Sequence, residues 1–184
     1  MKESIFQQFP KLDTERLVLR EVREHDLEMV FSFNADPEAL RYVAREYYTD
    51  IKEAVVKLES LQAGFHDHTG LIWTFALRET DEPLGYGGFF DISENRTEAE
   101  IGDGILNAHW GKGYVFEAVK AMTNFGFSKM DLERIFGRID PENIPSARIL
   151  KKLGYQNEGV ILGDEFARGQ TFDMAIWARQ KEQE

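Results

Sequence analysis

The stretch from residue 99 to residue 118 restricts the fold of this chain more than any other. Residues 99–106 have the pattern of a strand, and a short loop with Gly111 and Gly113 leads from them directly into an amphipathic helix. The first N–H groups of such a helix point outward with the positive end of its dipole, and glycine lets the backbone approach a ligand closely. The segment predicts an anion site suited to a diphosphate, with a tight turn that binds nothing as the alternative.

Neither of two common nucleotide-binding loops matches this segment. A P-loop requires G-x-x-x-x-G-K-[ST], but Lys112 is followed by Gly113, and no glycine stands five positions before Gly111. A Rossmann fingerprint requires a third glycine at the position where this chain has Phe116. These mismatches argue against ATP in a P-loop and against a dinucleotide in a Rossmann loop.

The rest of the chain alternates between strand and helix patterns. Further strands are predicted over residues 16–22, 71–77, 84–92, 134–140, 155–161 and 171–179. Helices are predicted to begin at Asp36 and at Asp50, to cover residues 114–129, and to run from an N-cap at Asn143 to Gly154. This order predicts an α/β (α+β) fold with a mixed sheet covered by helices.

Composition limits the protein to a few broad classes. The 184 residues contain 42% hydrophobic residues and no repeat or linker, so we expect a single domain over residues 1–184. The absence of cysteine excludes a disulfide scaffold, a thiolate metal site and a cysteine nucleophile. The net charge of −11 disfavours nucleic acid as a partner and attracts cationic ligands, unless the acidity serves only solubility. With no apolar run long enough for a membrane span and no apolar signal core, we expect a cytoplasmic protein without a membrane partner.

Several motifs in sequence order resemble those of the GNAT superfamily of acetyltransferases. The motifs are W-G-K-G-Y at 110–114, E-A at 117–118, N-I-P-S-A at 143–147 and K-L-G-Y at 152–155. Within the superfamily the chain is similar to the RimJ/RimL branch of ribosomal-protein N-terminal acetyltransferases, which the segments at 12–20 and 36–38 also resemble. The resemblance covers nearly the whole chain and implies a mostly antiparallel central sheet flanked by helices.

The resemblance also implies how acetyl-CoA, the acetyl donor, is bound without a metal. Ile105 and Leu106 are expected to pair with the pantetheine arm like an added strand. The backbone amides of the loop are expected to hold the pyrophosphate, and they belong to Trp110, Gly111, Lys112, Gly113 and Tyr114. One departure is Ala108, which stands where the superfamily often has glutamine or arginine.

The same resemblance places two polar residues at the start of a helix near the cofactor thiol. Asn143 and Ser146 match the N-x-x-S of the branch, and helix capping is the alternative role for both. Many GNAT enzymes use a tyrosine to protonate the leaving thiolate, but the matching residue here is Leu150. Ser146 is the nearest polar replacement, and it is expected to act by hydrogen bonding to the sulfur or through water.

For the general base, Glu100 is the first candidate, because it lies on the strand that leads to the cofactor loop. Glu100 and Asp103 point to opposite faces of that strand, so we expect at most one of them in a given cleft. Asp103 stands where relatives often carry an aromatic residue, which could alter the choice of acceptor. The segment His66-Asp67-His68 does not predict a metal site, because no third or fourth ligand is evident.

Together these features predict an N-acetyltransferase in which the amine attacks acetyl-CoA directly in a ternary complex. The acceptor is a primary amine, either a protein N-terminus or a small molecule such as a polyamine, an amino acid or an antibiotic. A CoA-binding sensor without turnover is the alternative that Leu150 favours. Residues 41–48 and a loop near residues 163–169 are expected to shape the acceptor side. The oligomeric state is undetermined, with a homodimer as one option.

Overall fold

The protein forms one eight-stranded sheet with helices packed on both faces. A computed structural model describes residues 3–93, 95 and 97–182. The strands are β1 (Leu12–Asp13), β2 (Leu17–Glu21), β3 (Leu71–Leu77), β4 (Pro83–Phe90), β5 (Glu98–Ile105), β6 (Arg134–Ile139), β7 (Gln156–Ala167) and β8 (Gln170–Gln180). The helices are α1 (Leu27–Ala35), α2 (Ile51–His66), α3 (Tyr114–Ser128) and α4 (Ile144–Lys152). This architecture confirms the predicted mixed, mostly antiparallel sheet flanked by helices.

The sheet opens in its middle. Its strand order is β1-β2-β3-β4-β5-β6-β8-β7, and every neighbouring pair is antiparallel except β5 and β6. That parallel pair is short and ends at Glu100 opposite Phe136. Beyond this point β5 continues along β4 to Ile105, while β6 continues along β8 to Ile139. The two strands therefore splay apart and leave a gap between their inner edges.

Each face of the sheet has its own hydrophobic core. On one face, Phe89 and Ile101 of the sheet belong to a core cluster with Met122 of α3 and Leu150 of α4. On the other face, side chains of the sheet form a second cluster with α1 and α2, including Phe33 and Leu58. Period-two alternation along β4 and β5 assigns neighbouring residues to the two cores in turn. The gap between β5 and β6 thus lies between two packed hydrophobic layers.

Local capping explains the start of α2 and both ends of α4. The side chain of Asp50 accepts the N–H of Lys52 at 2.9 Å, and that of Asn143 accepts the N–H of Ser146 at 3.2 Å. Gly154 follows α4 with a φ of +85°, a left-handed conformation that suits glycine. The predicted N-caps at Asp50 and Asn143 and the predicted stop at Gly154 are confirmed.

The structure corrects the helix predicted to begin at Asp36. Asp36 instead ends α1 in an extended conformation, and its side chain accepts the N–H of Glu38 at 2.8 Å, which closes a local turn. Helix α1 escapes prediction because Asp26 at its start makes no capping bond and gives its carboxylate to buried Arg20 at 2.9 Å. Residues 36–50 form turns between α1 and α2 rather than a helix.

A second difference concerns the end of the chain. Strand β7 runs through the loop predicted near residues 163–169, so that only Arg168 and Gly169 remain as the turn to β8. The pairing of β7 with β8 is irregular between Ile161 and Glu165. In the part of the chain that the structure describes, no helix is both long and apolar enough to cross a membrane.

Candidate active site

The loop before α3 presents a row of free backbone donors. Gly111 and Gly113 have φ angles of +73° and +82°, and this left-handed geometry turns the chain into the helix. Among the described residues, the N–H groups of residues 111–116 have no acceptor, and the next amide, that of Glu117, donates to the Gly113 carbonyl at 3.2 Å. Such unpaired amides at the positive end of a helix dipole form an anion site. The predicted geometry of the loop is present.

Trp110 and Leu106 were predicted to contact the cofactor through the backbone, but their N–H groups are hydrogen-bonded within the protein. The Trp110 N–H donates to Asn107 at 3.0 Å, and the Leu106 N–H donates to Leu84 at 2.9 Å. The Ile105 carbonyl accepts the Trp110 indole N–H at 3.0 Å. Because hydrogen-bonded pairs alternate along an antiparallel ladder, the backbone groups of Asp103 and the N–H of Ile105 face the gap instead. A ligand strand in the gap would meet these residues rather than Leu106.

The gap between β5 and β6 forms a cleft of about 430 Å³. Its walls are residues 100–104 of β5, residues 137–139 of β6, residues 42–45 of the turns before α2, and the start of α4 at Ser146. Glu100 and Asp103 both line it, although they lie on opposite faces of β5. The expectation that only one of them faces a given cleft is therefore wrong, because the opening passes through the sheet.

The N-terminal turn of α4 supplies the polar groups on one side of the cleft. Asn143, Ser146, Ile149 and Leu150 all line the cavity. The Ser146 hydroxyl has no hydrogen-bond partner among the described residues, so it is free to donate to a ligand. Leu150 is almost fully buried and offers no proton. The only polar side chains that α4 contributes to the lining, as described, are those of Asn143 and Ser146.

Replacing Asn143 with alanine should lower both stability and turnover. The side chain caps α4, and loss of such a cap costs about 1 kcal/mol of unfolding free energy. Asp50→Ala is the matched control, because it removes the N-cap of α2, which does not line the cleft. Denaturant unfolding and initial rates should show similar losses of stability in both variants but reduced turnover only in Asn143→Ala. Equal turnover in the two variants would leave capping as the whole role of Asn143.

Glu100 is paired with the Arg138 guanidinium in the lining of the cleft. Arg138 Nε donates to both of its carboxylate oxygens at 3.2 Å, and Arg138 also approaches Asp164 and Glu165 at 3.5 and 3.4 Å. Burial raises the pKa of Glu100, the Arg138 hydrogen bonds oppose this, and the charges of Asp91 and Glu165 add to the rise. The net upward shift makes Glu100 a better proton acceptor near neutral pH than an ordinary glutamate. Pattern analysis did not identify Arg138, because only the β5–β6 register brings it to Glu100.

Asp103 differs from Glu100 in having no ionic partner within the described chain. Its side chain is open to solvent through the mouth of the cleft, although protein surrounds it on the other sides. Desolvation by these surroundings raises the pKa of Asp103 to about 6. The cleft therefore contains two carboxylates with raised pKa values, one paired and one unpaired.

A polar network supports the opposite wall of the cleft. The Asn34 side-chain amide donates to the Tyr86 hydroxyl at 3.1 Å, and Arg45 Nη1 donates to the Asn34 oxygen at 2.7 Å. Tyr86 and Arg45 line the cleft, whereas Asn34 is fully buried behind them. Sequence patterns gave no signal for this network, because its members come from three separate segments.

Arg168 ties the wall formed by residues 42–45 to the β7–β8 turn. Its guanidinium donates to the carbonyls of Val43, at 2.8 Å, and of Arg45, and it lies 4.9 Å from the ring centroid of Tyr47. Its backbone N–H donates to the Glu46 carboxylate at 2.5 Å. The two segments predicted to shape the acceptor side are therefore in direct contact.

Tyr155 does not replace the tyrosine missing at Leu150. Its hydroxyl lies 2.8 Å from that of Thr123, and burial raises its pKa to about 12. Tyr155 is not part of the cleft wall.

Across residues 3–93, 95 and 97–182, no group of three or more histidine, cysteine, aspartate or glutamate side chains could hold a metal.

Comparison with known proteins identifies the family. The model of the acetyltransferase (GNAT) domain matches residues 16–156. The uncharacterised N-acetyltransferase YoaA of Bacillus subtilis is 31% identical over 176 residues, which cover 96% of this chain and 99% of YoaA.

Solved acetyltransferases share the fold. A spermidine N-acetyltransferase from Vibrio cholerae, in complex with CoA and spermine, has a TM-score of 0.79 at 20% identity, covering 90% of this chain and 96% of its own. RimL, a ribosomal L7/L12 α-N-protein acetyltransferase in complex with coenzyme A, has a TM-score of 0.82 at 16% identity, covering 93% and 98%. The match to the GNAT domain over residues 16–156 shows that the chain belongs to the GNAT family and is an N-acetyltransferase, and the free amides of the loop and the split sheet agree with this.

Proposed function

We propose that this enzyme, a single domain over residues 1–184, transfers the acetyl group of acetyl-CoA to a cationic primary amine by direct attack in a ternary complex. The observation that carries the proposal is Val115, which belongs to the row of free amides in the loop and also lines the cleft through the split sheet. A diphosphate bound at the loop and an amine inside the cleft would therefore be held next to each other. Holding both reactants together is the main requirement for direct transfer.

The residues of the cofactor side fit acetyl-CoA. The amides of Gly111, Lys112, Gly113 and Tyr114 would hold the diphosphate, which agrees with their lack of acceptors in the described chain. The backbone groups of Asp103 and the N–H of Ile105, on the open edge of β5, would pair with the amides of the pantetheine arm. Coenzyme A bound in two solved relatives of the same fold supports this assignment.

The chemistry assigns a role to each side of the cleft. Glu100 takes a proton from the substrate ammonium, and the freed amine then attacks the thioester carbonyl. Attack forms the C–N bond in a tetrahedral intermediate, whose collapse breaks the C–S bond with its electron pair leaving on the sulfur. The nitrogen gives its remaining extra proton to solvent as the amide forms. Ser146 donates a hydrogen bond to the developing thiolate, which solvent protonates. Neither step requires a nucleophile of the enzyme, which agrees with the absence of cysteine.

The charge of the cleft supports a cationic acceptor. Four carboxylates line it, those of Asp91, Glu100, Asp103 and Glu165, against the two guanidinium groups of Arg45 and Arg138. An excess of negative charge in a concave site attracts cations and raises their local concentration. The shared fold with a spermidine N-acetyltransferase agrees with a polyamine-like acceptor.

A protein N-terminus is the second candidate acceptor. The segment at 12–20 resembles the RimJ/RimL branch, and RimL shares the fold. This second proposal includes membership of the chain in the RimJ/RimL branch. The cytoplasmic location and the homodimer stay predictions.

A screen of amines decides between the acceptors. CoA thiol release from acetyl-CoA would be measured with polyamines, neutral-tailed monoamines of matched length, and peptides with different N-terminal residues. We expect polyamines to react faster than matched monoamines, with a difference that shrinks as salt rises. Turnover with peptides alone would favour the RimL-like acceptor. Tight acetyl-CoA binding in calorimetry without turnover on any amine would indicate a sensor and contradict the enzymatic proposal.

A further inference from the structure

An arginine from the start of the sheet reaches the diphosphate loop. Arg16, just before β2, donates from Nη1 to the Lys112 carbonyl at 2.8 Å and from Nε to Glu117 at 2.8 Å. Its guanidinium carbon lies 4.7 Å from the ring centroid of Tyr114, and Nη2 lies 3.4 Å from where a Cβ at Gly113 would stand. The guanidinium thus lies against the loop.

Both carboxylate oxygens of Glu117, in the first turn of α3, accept hydrogen bonds from the segment that contains Arg16. Its carboxylate accepts the Thr14 hydroxyl at 2.5 Å and the Arg16 N–H at 2.7 Å, in addition to Arg16 Nε. Burial opposes ionisation, but these hydrogen bonds outweigh it and lower the pKa of Glu117. Glu117 is therefore a fixed negative charge close to the anion site.

The Arg16 contact sets the direction of one donor. In a planar peptide the C=O and N–H groups point in opposite directions, so holding the Lys112 carbonyl toward Arg16 directs the Gly113 N–H to the other side. Glycine at position 113 has little barrier against rotation of this peptide. Without Arg16, the carbonyl could turn toward the anion site and oppose a phosphate.

We propose that Arg16 is a positioning residue for the acyl donor, acting through the loop rather than on the reacting atoms. It fixes the Lys112–Gly113 peptide with its donor toward the diphosphate, and it cancels the charge of Glu117 that would repel that diphosphate. The inference rests on the proposed binding of acetyl-CoA at this loop. It adds a segment 95 residues or more away in sequence to the cofactor site.

The test compares two acyl donors that differ in the diphosphate. For Arg16→Ala, KM and calorimetric Kd for acetyl-CoA should rise roughly tenfold, the scale of one charge-assisted hydrogen bond. KM for S-acetylpantetheine, which lacks the diphosphate, should stay within about twofold of wild type, because it makes no contact with the loop. The saturated kcat should be unchanged with either donor.

Three further variants separate positioning from folding. Arg16→Lys keeps the charge without bridging both acceptors, so it should bind acetyl-CoA with intermediate affinity. Glu117→Gln in the Arg16→Ala background should recover part of the lost affinity, since the unpaired charge is gone. Arg23→Ala, which removes an exposed arginine paired with Asp81, should bind acetyl-CoA like wild type. Thermal unfolding of each variant checks that the fold is retained.

The outcomes are distinct. Equal losses for both donors would overturn the proposal and assign Arg16 a purely structural role, and an unchanged acetyl-CoA Kd would overturn it as well. Failure of the wild-type enzyme to bind acetyl-CoA, by contrast, would overturn the proposed function itself. Selective loss for acetyl-CoA, with recovery in the double variant, supports both.

Discussion

Replacing Ser146 with alanine is expected to lower kcat by about a hundredfold, the usual scale for loss of one donor to developing charge. The expectation starts from Leu150, which is buried and has no proton to give where many GNAT enzymes have a tyrosine. Ser146 lines the cleft at the start of α4 with a hydroxyl that has no partner in the described chain. It would donate mainly as negative charge forms on the sulfur.

A donor used mainly in the transition state affects kcat rather than binding. The Kd of Ser146→Ala for acetyl-CoA should therefore stay within a few-fold of wild type in calorimetry. Ser128→Ala is a suitable control, because that serine bonds the Asn124 carbonyl at the far end of α3. Initial rates with the best amine of the screen provide the measurement. Wild-type turnover, or a defect in KM alone, would assign Ser146 to holding the cofactor.

Replacing Glu100 with glutamine is expected to lower kcat/KM by roughly a hundredfold or more, as for loss of a general base. The glutamine keeps the size of the side chain but cannot take the ammonium proton. Only the carboxylate form of Glu100 acts as a base, and its pKa is raised, so wild-type activity should fall as pH drops through that raised pKa. This acidic limb of the pH–rate profile should disappear in Glu100→Gln.

Glu165→Gln is the matched control for Glu100→Gln. Glu165 also lines the cleft and approaches the Arg138 guanidinium at 3.4 Å, so its loss removes a similar ion pair. Rates between pH 5 and 9 should still show an acidic limb in Glu165→Gln, moved to lower pH because the charge of Glu165 helps to raise the pKa of Glu100. An intact limb in Glu100→Gln that disappears in Asp103→Asn would transfer the role of base to Asp103.

The sequence was informative where structure depends on neighbours along the chain. The bounds of β3, the start of α3, the cap at Asn143 and the turn at Gly154 follow from local pattern and backbone preference, and the structure confirms them. The helix predicted to begin at Asp36 was wrong because the local pattern alone does not distinguish a helix start from a turn. An aspartate before a proline caps a helix or closes a turn equally well, and here Asp36 closes the turn with one carboxylate oxygen and accepts the Asn107 side-chain amide at 2.7 Å with the other.

The site depends more on contacts between distant segments, which single-sequence patterns do not encode. The early end of the β5–β6 ladder opens the cleft and brings both Glu100 and Asp103 to it. The approach of Arg138 to Glu100 depends on the same register. Arg16 was visible only as part of a family-like motif, because its partner Lys112 lies on another element.

The hydrogen bonds of Arg168 to Val43, Arg45 and Glu46, here called the Arg168 clamp, have a consequence for how such enzymes diverge. The clamp joins residues 43–47 to a two-residue turn, and within the described chain neither piece hydrogen-bonds to the loop that holds Gly111 and Gly113. Under the proposed function, substitutions in this pair would reshape the acceptor side of the cleft without altering the loop amides proposed to bind the acyl donor. Acceptor preference and donor recognition can therefore change independently during evolution. Transplanting both pieces together from a relative should carry over its choice of amine, whereas transplanting one alone would break the clamp.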